Sequence, residues 1–495
     1  MNRVSQALVA LLKLTPVALL AVLMAQGFDI LMAAPLALVY AVLLAMAFDR
    51  TAFSTLLDGA LDGMRGYVMV FLILELAFAT ADVFMSSGVA ASVIGLALKA
   101  GVTGQSVAVV GLLVTAVLSI ATGTSWGTMA ACAPIFLWLN HLLGGNLALT
   151  LGAIAGGACF GDNIGLISET TVVSSGIQGV TVTDRVRHQG VWSLLCLALA
   201  AMVFALVGYL TIDPTNAVSS SDVIAAIPEQ AWSALEAERP AAVTLLHQVE
   251  AGTSPWMVIP LVVVLALAVM GQNTLVCLTA GIASSLGCGL TVGTVTSVTD
   301  FLEVVQGGFV TSGSWTIVMM LWVGCFGGVM RKMNAFDPIV RLILATVRSV
   351  RQLMFANGVL CLVGNAALAD EMAQIVTVGP LLRTMTEESV EGDEKAKYTL
   401  ALRNATFGDA MGVLGSQLIP WHCYINFFLR LSLSVYPLAR GALSAWSLIS
   451  HNYVAWIAVV SILLFTLTGL DRFVPCFALP REEQVRLRNV TRDKK

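Results

Sequence analysis

Two carboxylates occupy matching places in the two halves of this chain. Phe160-Gly161-Asp162-x-x-Gly165 recurs half a chain length later as Phe407-Gly408-Asp409-x-x-Gly412. Both copies lie in strongly apolar sequence, where a carboxylate at the bilayer centre costs roughly 2.5–3.5 kcal/mol on insertion scales. Near the first copy stand the hydroxyls of Thr124, Ser125, Thr128, Ser168, Thr170 and Thr171 and a second acid, Glu169. In the second half, Leu368-Ala369-Asp370-Glu371-Met372 takes the place that Gly123-Thr124-Ser125-Trp126-Gly127 takes in the first, and His422 follows Pro420-Trp421. Lysine and arginine are scarce at these depths, with Arg403 near Asp409 the main exception. An acid with no base beside it either holds a proton or binds a cation. Doing both in alternation is cation/proton exchange. Oxygen donors suit sodium or another hard ion and argue against zinc or copper. The expected binding set is Thr124, Ser125, Asp162, Ser168, Glu169, Thr170, Thr171, Asp370, Glu371, Asp409 and His422, with sodium at Asp162, Thr124 and Asp409.

Those side chains need elements that hold them inside a membrane. Gly123, Gly127, Gly161, Gly165, Gly408 and Gly412 are expected to interrupt helices at mid-depth, freeing backbone carbonyls and aiming half-helix N-termini at charged groups. Such irregular backbone is tolerated only where it is buried in protein or lines a cavity. Blander roles suit other residues. Gly156 and Gly157 read as helix-packing positions. Glu75 fits a proton relay or a structural hydrogen bond equally. Asp82 reads as an interfacial residue, His141, His188, His247 and His451 as solvated, and Trp126 and Trp421 as packing residues.

The chain has 495 residues, 58% hydrophobic and 11% charged, with mean hydropathy +0.87. Soluble domains carry about 25% charged residues, so this is an all-α polytopic membrane protein. A net charge of −4 gives no sign of a nucleic-acid partner. The nine cysteines form no CxxC pair and read as small apolar residues. The first apolar run continues into a second and reads as a retained span. Apolar runs near 7–26, 30–48, 67–86, 105–140, 188–211, 255–271, 273–291, 313–331, 353–386 and 447–470 suggest about ten spans. The interrupted stretches 147–180 and 399–432 read as re-entrant hairpins. These runs divide the chain into a first repeat (1–211), an acidic extracytoplasmic linker (212–254), a second repeat (255–470) and a basic tail (471–495). Arg and Lys crowd 331–352 and the tail, which places both and the N-terminus in the cytoplasm. Five spans on each side of the linker make the repeats inverted.

At these residues the sequence resembles the NhaC-type sodium/proton antiporter family of the ion transporter superfamily. The resemblance rests on Gly123-Thr124-Ser125-Trp126-Gly127-Thr128, on Gly152-Ala153 through Phe160-Gly161-Asp162, on Ser168-x-Thr170-Thr171 and on Leu418-Ile419-Pro420-Trp421. It implies inverted repeats, hairpins meeting near the midplane, a transport domain moving against a scaffold, and commonly a homodimer. It also implies a bacterial cytoplasmic membrane, no resident cofactor, and sodium and protons as coupling ions. The chain departs from the family pattern at Gly165-Leu166, where Ser-Pro is usual, at Glu169 (Asp), at Glu371 (Gln) and at His422 (Asn). These changes leave a coupled exchanger of an organic acid or amino acid as the second reading. No HExxH motif speaks for an enzyme.

Overall fold

The computed structural model describes residues 12–488 except 21, 24–25, 27, 29, 66–67, 100, 214–224, 226, 239, 271, 336–342, 344–345, 369, 421 and 440. Much of the expected span 7–26, part of the linker, Trp421 and the end of the basic tail lie outside the described residues. Helices α1 (Ile30–Phe48), α2 (Phe53–Arg65), α3 (Val68–Ser86) and α4 (Val89–Lys99) lead into α5 (Val107–Thr122), α6 (Ser125–Leu142), α7 (Leu147–Ile164), α8 (Glu169–Gln178) and α9 (Val182–Thr211). The linker carries α10 (Glu229–Glu238) and α11 (Pro240–Ala251). Then come α12 (Ile259–Val269), α13 (Thr274–Val292), α14 (Val298–Ser312), α15 (Val318–Lys332), α16 (Val350–Leu368) and α17 (Glu371–Ser389). The described chain closes with α18 (Glu394–Val413), α19 (Cys423–Val435), α20 (Ala445–His451) and α21 (Tyr453–Thr468). Strands β1 (Val390–Gly392) and β2 (Val485–Leu487) pair antiparallel and tie the tail to the end of α17.

Among the described residues, Leu31–Phe48, Leu147–Gln178, Val182–Thr211 and Leu275–Val292 are each long and apolar enough to cross a membrane as they stand. The pair α20–α21, bent by 61°, qualifies when taken together. Several of the other runs expected as spans are shorter helices or pairs broken at mid-depth.

The hairpins are not where the sequence reading puts them. Ser125 at the start of α6 bonds Asp162 at the end of α7, and Asn140 near the end of α6 accepts from Thr150 near the start of α7 at 2.8 Å. So α6 runs antiparallel to α7. A Cβ on Gly111 would meet Ile154 and one on Gly161 would meet Ser119, so α5 runs parallel to α7. It follows that α5 and α6 form a hairpin with its tip at Gly123-Thr124. Gly123 turns the chain back in the left-handed region (φ +67), where glycine carries no Cβ penalty. The second hairpin is α16–α17: Asn357 bonds Thr386, and a Cβ on Gly364 would meet Val378. The stretches 147–180 and 399–432 are instead broken traverses. Gly165 at the first break is extended (φ −66, ψ 131), so α8 carries on past the tip level to Gly379 and Arg383 instead of folding back. In the second, α19 runs beside α6, from Tyr424 at Trp126 to Tyr436 at His141.

Helix α9 fixes the thickness. Its thirty residues span about 45 Å. Thr181, at its start, donates its amide to the Tyr398 hydroxyl, while the Ile212 carbonyl at its end accepts from Gln105. The tail lies at the Tyr398 end, where Arg488 bonds Ser389, and the linker leaves from the other. Helices α10 and α11 do not hang free: they pack on α19 and on α3, α4 and α6, and Gln248 donates to the Ser86 carbonyl at 2.6 Å. Away from the hairpins, Gly59 and Gly63 of α2 lie against Gly328 and Gly324 of α15, and Gly308 of α14 against Ala79 of α3. Small residues let these backbones approach closely where lipid gives no hydrophobic drive.

Candidate functional site

Four half-helices begin at one level inside the protein, and the sequence supplies each with a capping side chain. Thr124 caps α6 by accepting from Gly127, Ser168 caps α8 from Thr171, Asp370 caps α17 from Ala373 at 2.7 Å, and His422 caps α19 from Tyr424. Thus four of the expected ligands hold orphan amide groups at helix starts, the usual work of N-cap residues.

Asp162 sits among these ends, buried. Its Oδ2 accepts from the Ser125 amide at 3.0 Å and the Ser125 hydroxyl at 2.6 Å, and its Oδ1 from the Ser168 hydroxyl at 2.7 Å. Ser168 lies 3.0 Å from the Thr170 hydroxyl. Tyr424, which the sequence reading did not single out, brings its hydroxyl to 2.8 Å from that of Ser125. Trp126 packs edge-on against Tyr424 and lies over Phe427, in keeping with a packing role. The two breaks touch: a Cβ on Gly123 would stand 2.6 Å from the Ile167 carbonyl oxygen.

Asp409 has a basic partner, but not the Arg403 that the sequence suggested. Arg185 of α9 places Nη2 2.6 Å from its Oδ2, both side chains fully buried. Thr171 bridges the two acids, donating to Asp409 Oδ2 at 2.9 Å and lying 3.2 Å from the Asp162 carbonyl, while Arg185 donates to Thr171 at 2.8 Å. Arg403, expected beside Asp409, points the other way. It bonds Thr466 and the Phe477 carbonyl, stacks on the Phe477 ring and pairs with Asp471. Nothing in the sequence marked Arg185 as the partner, because it lies in another helix a long way along the chain. His188 is likewise buried, against Phe477, not solvated.

The remaining candidates fall into place around this centre. Glu169 and Glu371 lie in the first turns of α8 and α17, where the helix dipole favours acids. Asp370, Asp162 and Glu169 all stand within electrostatic reach of Glu371. His422 Nε2 lies 2.9 Å from Asn365 Oδ1. Glu75 rests against Gly313. Of the six glycines expected at breaks, Gly123 and Gly165 are there. Gly127, Gly161, Gly408 and Gly412 lie inside helices. Gly161 serves close packing, since a Cβ there would strike the backbone of α5 at Ala116.

A charge count shows what this arrangement can do. Each helix N-terminus carries about half a positive charge, so four supply roughly +2, and Arg185 adds one. Asp162, Glu169, Asp370, Glu371 and Asp409, all ionised, carry five negative charges. The cluster is then short of about two positive charges, in a place where bare charge is costly. Cations or protons must supply them. Asp409 Oδ1 is buried with no hydrogen-bond donor within bonding distance among the described residues.

Broken helices whose starts meet buried acids midway between two faces are the architecture of an integral membrane secondary transporter. Residues 2–208 and 157–423 match the sequence model of the Na+/H+ antiporter family, and the chain belongs to that family. It is 24% identical over 423 residues to the Na(+)/H(+) antiporter NhaC of Alkalihalophilus pseudofirmus, covering 83% of this chain and 87% of that one. It is 21% identical over 375 residues to the malate-2H(+)/Na(+)-lactate antiporter of Bacillus subtilis, covering 72% of each. Among solved structures, the fold is similar to that of Neisseria gonorrhoeae MtrF, an antimetabolite efflux pump, with TM-score 0.53 and 12% identity over 85% of both chains.

Proposed function

We propose that the Asp162 cluster exchanges sodium for protons by alternating access, between two inverted repeats that each contribute a hairpin and a broken traverse. The observation that carries this reading is the shell of Asp162: both carboxylate oxygens are held by hydroxyl and amide donors from two helix starts, and Arg185 is spent on Asp409. Hydroxyls can rotate to offer lone pairs to a sodium ion and donate again when a proton replaces it. A cavity of about 310 Å³ lies between Asp62 and Arg331 on one side and Ile177, Pro380 and Arg383 on the other, toward the tail face. The tail face is taken as cytoplasmic, in a bacterial inner membrane, with a homodimer as the assembly. Proteoliposomes with an internal pH indicator test the reading: an imposed sodium gradient should move protons the opposite way, and no proton flux under any sodium gradient would refute it.

One feature favours a second reading. Four converging helix N-termini also suit an anionic group, so an organic acid carried with its counter-cations is the rival substrate. The same vesicles, loaded with malate, lactate or arginine, separate the two.

A further inference from the structure

We propose that Glu371, His422 and Cys423 form a binding site for a borderline-soft divalent metal ion, of which zinc is the type. Their ligand atoms lie within 4.8 Å of one another, with His422 buried and Cys423 partly open. On a tetrahedral zinc shell, neighbouring ligand atoms stand roughly 3.3–3.6 Å apart, as the Zn–S, Zn–N and Zn–O bond lengths require. Two of the three edges already have that length: Cys423 Sγ is 3.6 Å from Glu371 Oε2 and 3.6 Å from His422 Nδ1. Asp370 Oδ2 lies 3.9 Å from the same sulfur, in reach of a fourth position.

The second observation is the orientation of the imidazole. Asn365 donates its Nδ2 hydrogens to the carbonyls of Met411 (2.8 Å) and Gly412 (3.0 Å), so its Oδ1 is the atom that faces His422 Nε2. Nε2 must then carry the ring hydrogen, and Nδ1 turns its lone pair toward Cys423. A histidine whose far nitrogen donates to a fixed oxygen is the arrangement that supports a metal ligand from behind. The Nδ1 lone pair meets the Tyr424 amide at 3.2 Å and the Cys423 sulfur at 3.6 Å, contacts that a metal would replace. Binding takes the thiolate form of Cys423 and releases its proton to solution.

This site is separate in ligand chemistry from the oxygen shell of Asp162, yet it adjoins it. Tyr424 follows Cys423 directly and reaches Ser125 with its hydroxyl. The proposal does not depend on sodium/proton exchange, and its test reads metal alone.

Purified full-length protein in detergent is titrated with Co2+, whose bond to thiolate gives a near-ultraviolet charge-transfer band. The band should appear in the wild type and in Cys476→Ser, the exposed cysteine, and vanish in Cys423→Ser. Asn365→Ala should weaken Co2+ binding about 10–100-fold, the usual loss when an outer-shell partner is removed. A cluster with only a structural role would leave metal affinity unmoved. As a measurement that needs no variant, Zn2+ should protect Cys423 from alkylation, read by mass spectrometry of its peptide. A band that persists in Cys423→Ser, the absence of a band in the wild type, or equal alkylation with and without Zn2+ would each overturn the assignment.

Discussion

Arg185 and Asp409 form a fully buried ion pair, Nη2 to Oδ2 at 2.6 Å, with Thr171 bridging both to the Asp162 carbonyl. The pair divides the labour between the two matching acids. Asp409 is neutralised by a fixed cation, and in the proposed mechanism Asp162 takes the exchangeable one. Removing one partner of such a pair strands the other and costs about 3–5 kcal/mol, whereas replacing both by apolar groups is often near neutral. Arg185→Met should therefore lower thermal stability in detergent sharply, and Arg185→Met with Asp409→Leu should recover most of it. Equal melting of wild type and Arg185→Met would remove the pair as a structural element.

Asp162→Asn should keep the fold and abolish sodium-driven proton movement, since the group that alternates between ion and proton is gone. Ser125→Ala removes one ligand and one donor, and a hydrogen bond to a charged group is worth about 1.5–3 kcal/mol. Its half-saturating sodium concentration should rise roughly tenfold or more at that scale. Vesicle assays with both variants measure this, and unchanged sodium dependence in Ser125→Ala would take its hydroxyl out of the site.

The motif glycines should separate. Gly123 is left-handed (φ +67), and a Cβ there meets the Ile167 carbonyl at 2.6 Å, so Gly123→Ala combines a clash with roughly 1–2 kcal/mol of backbone strain. A Cβ on Gly408 meets nothing closer than Ser174 at 3.6 Å, an ordinary contact. Gly123→Ala should lose transport and thermal stability, and Gly408→Ala should keep both. The opposite order would contradict the placement of the breaks.

Much of this was legible before any coordinates. The apolar composition, the scarcity of charge and the paired FGDxxG copies indicated an all-α membrane protein with acids at its centre, and Ser125, Asp162, Ser168 and Thr171 do meet. What failed had physical causes. Whether a glycine-interrupted stretch folds back or runs on depends on a few backbone angles, left-handed at Gly123 and extended at Gly165, and composition does not report them. Arg185 drew no attention because its partner, Asp409, is a residue of another helix. Thr124, Asp370 and His422 also cap helix starts, a role their residue types did not reveal because a capping side chain and an ion ligand have the same chemistry.

The tail should prove structural. Asp471 is buried, accepting from Arg351 at 2.7 Å and from the Leu479 amide at 2.8 Å, and it faces Arg403, which stacks on Phe477. Ending the chain after Leu470 would leave Arg403 buried without its counter-ion, at a cost of about 3–5 kcal/mol. Thermal melting of the truncated protein should fall well below the full chain, while ending it after Leu487, which keeps β2 and Asp471, should not. Equal stability of all three would show that the clamp contributes nothing.

The central claim is that sodium and protons compete for the Asp162 oxygens. Calorimetric titration of the purified protein with sodium at several pH values tests it most directly. The account predicts affinity that weakens as pH falls, because protonation removes the charge that sodium needs, and no binding in Asp162→Asn at any pH. Sodium affinity that is independent of pH, or that survives in Asp162→Asn, would contradict it.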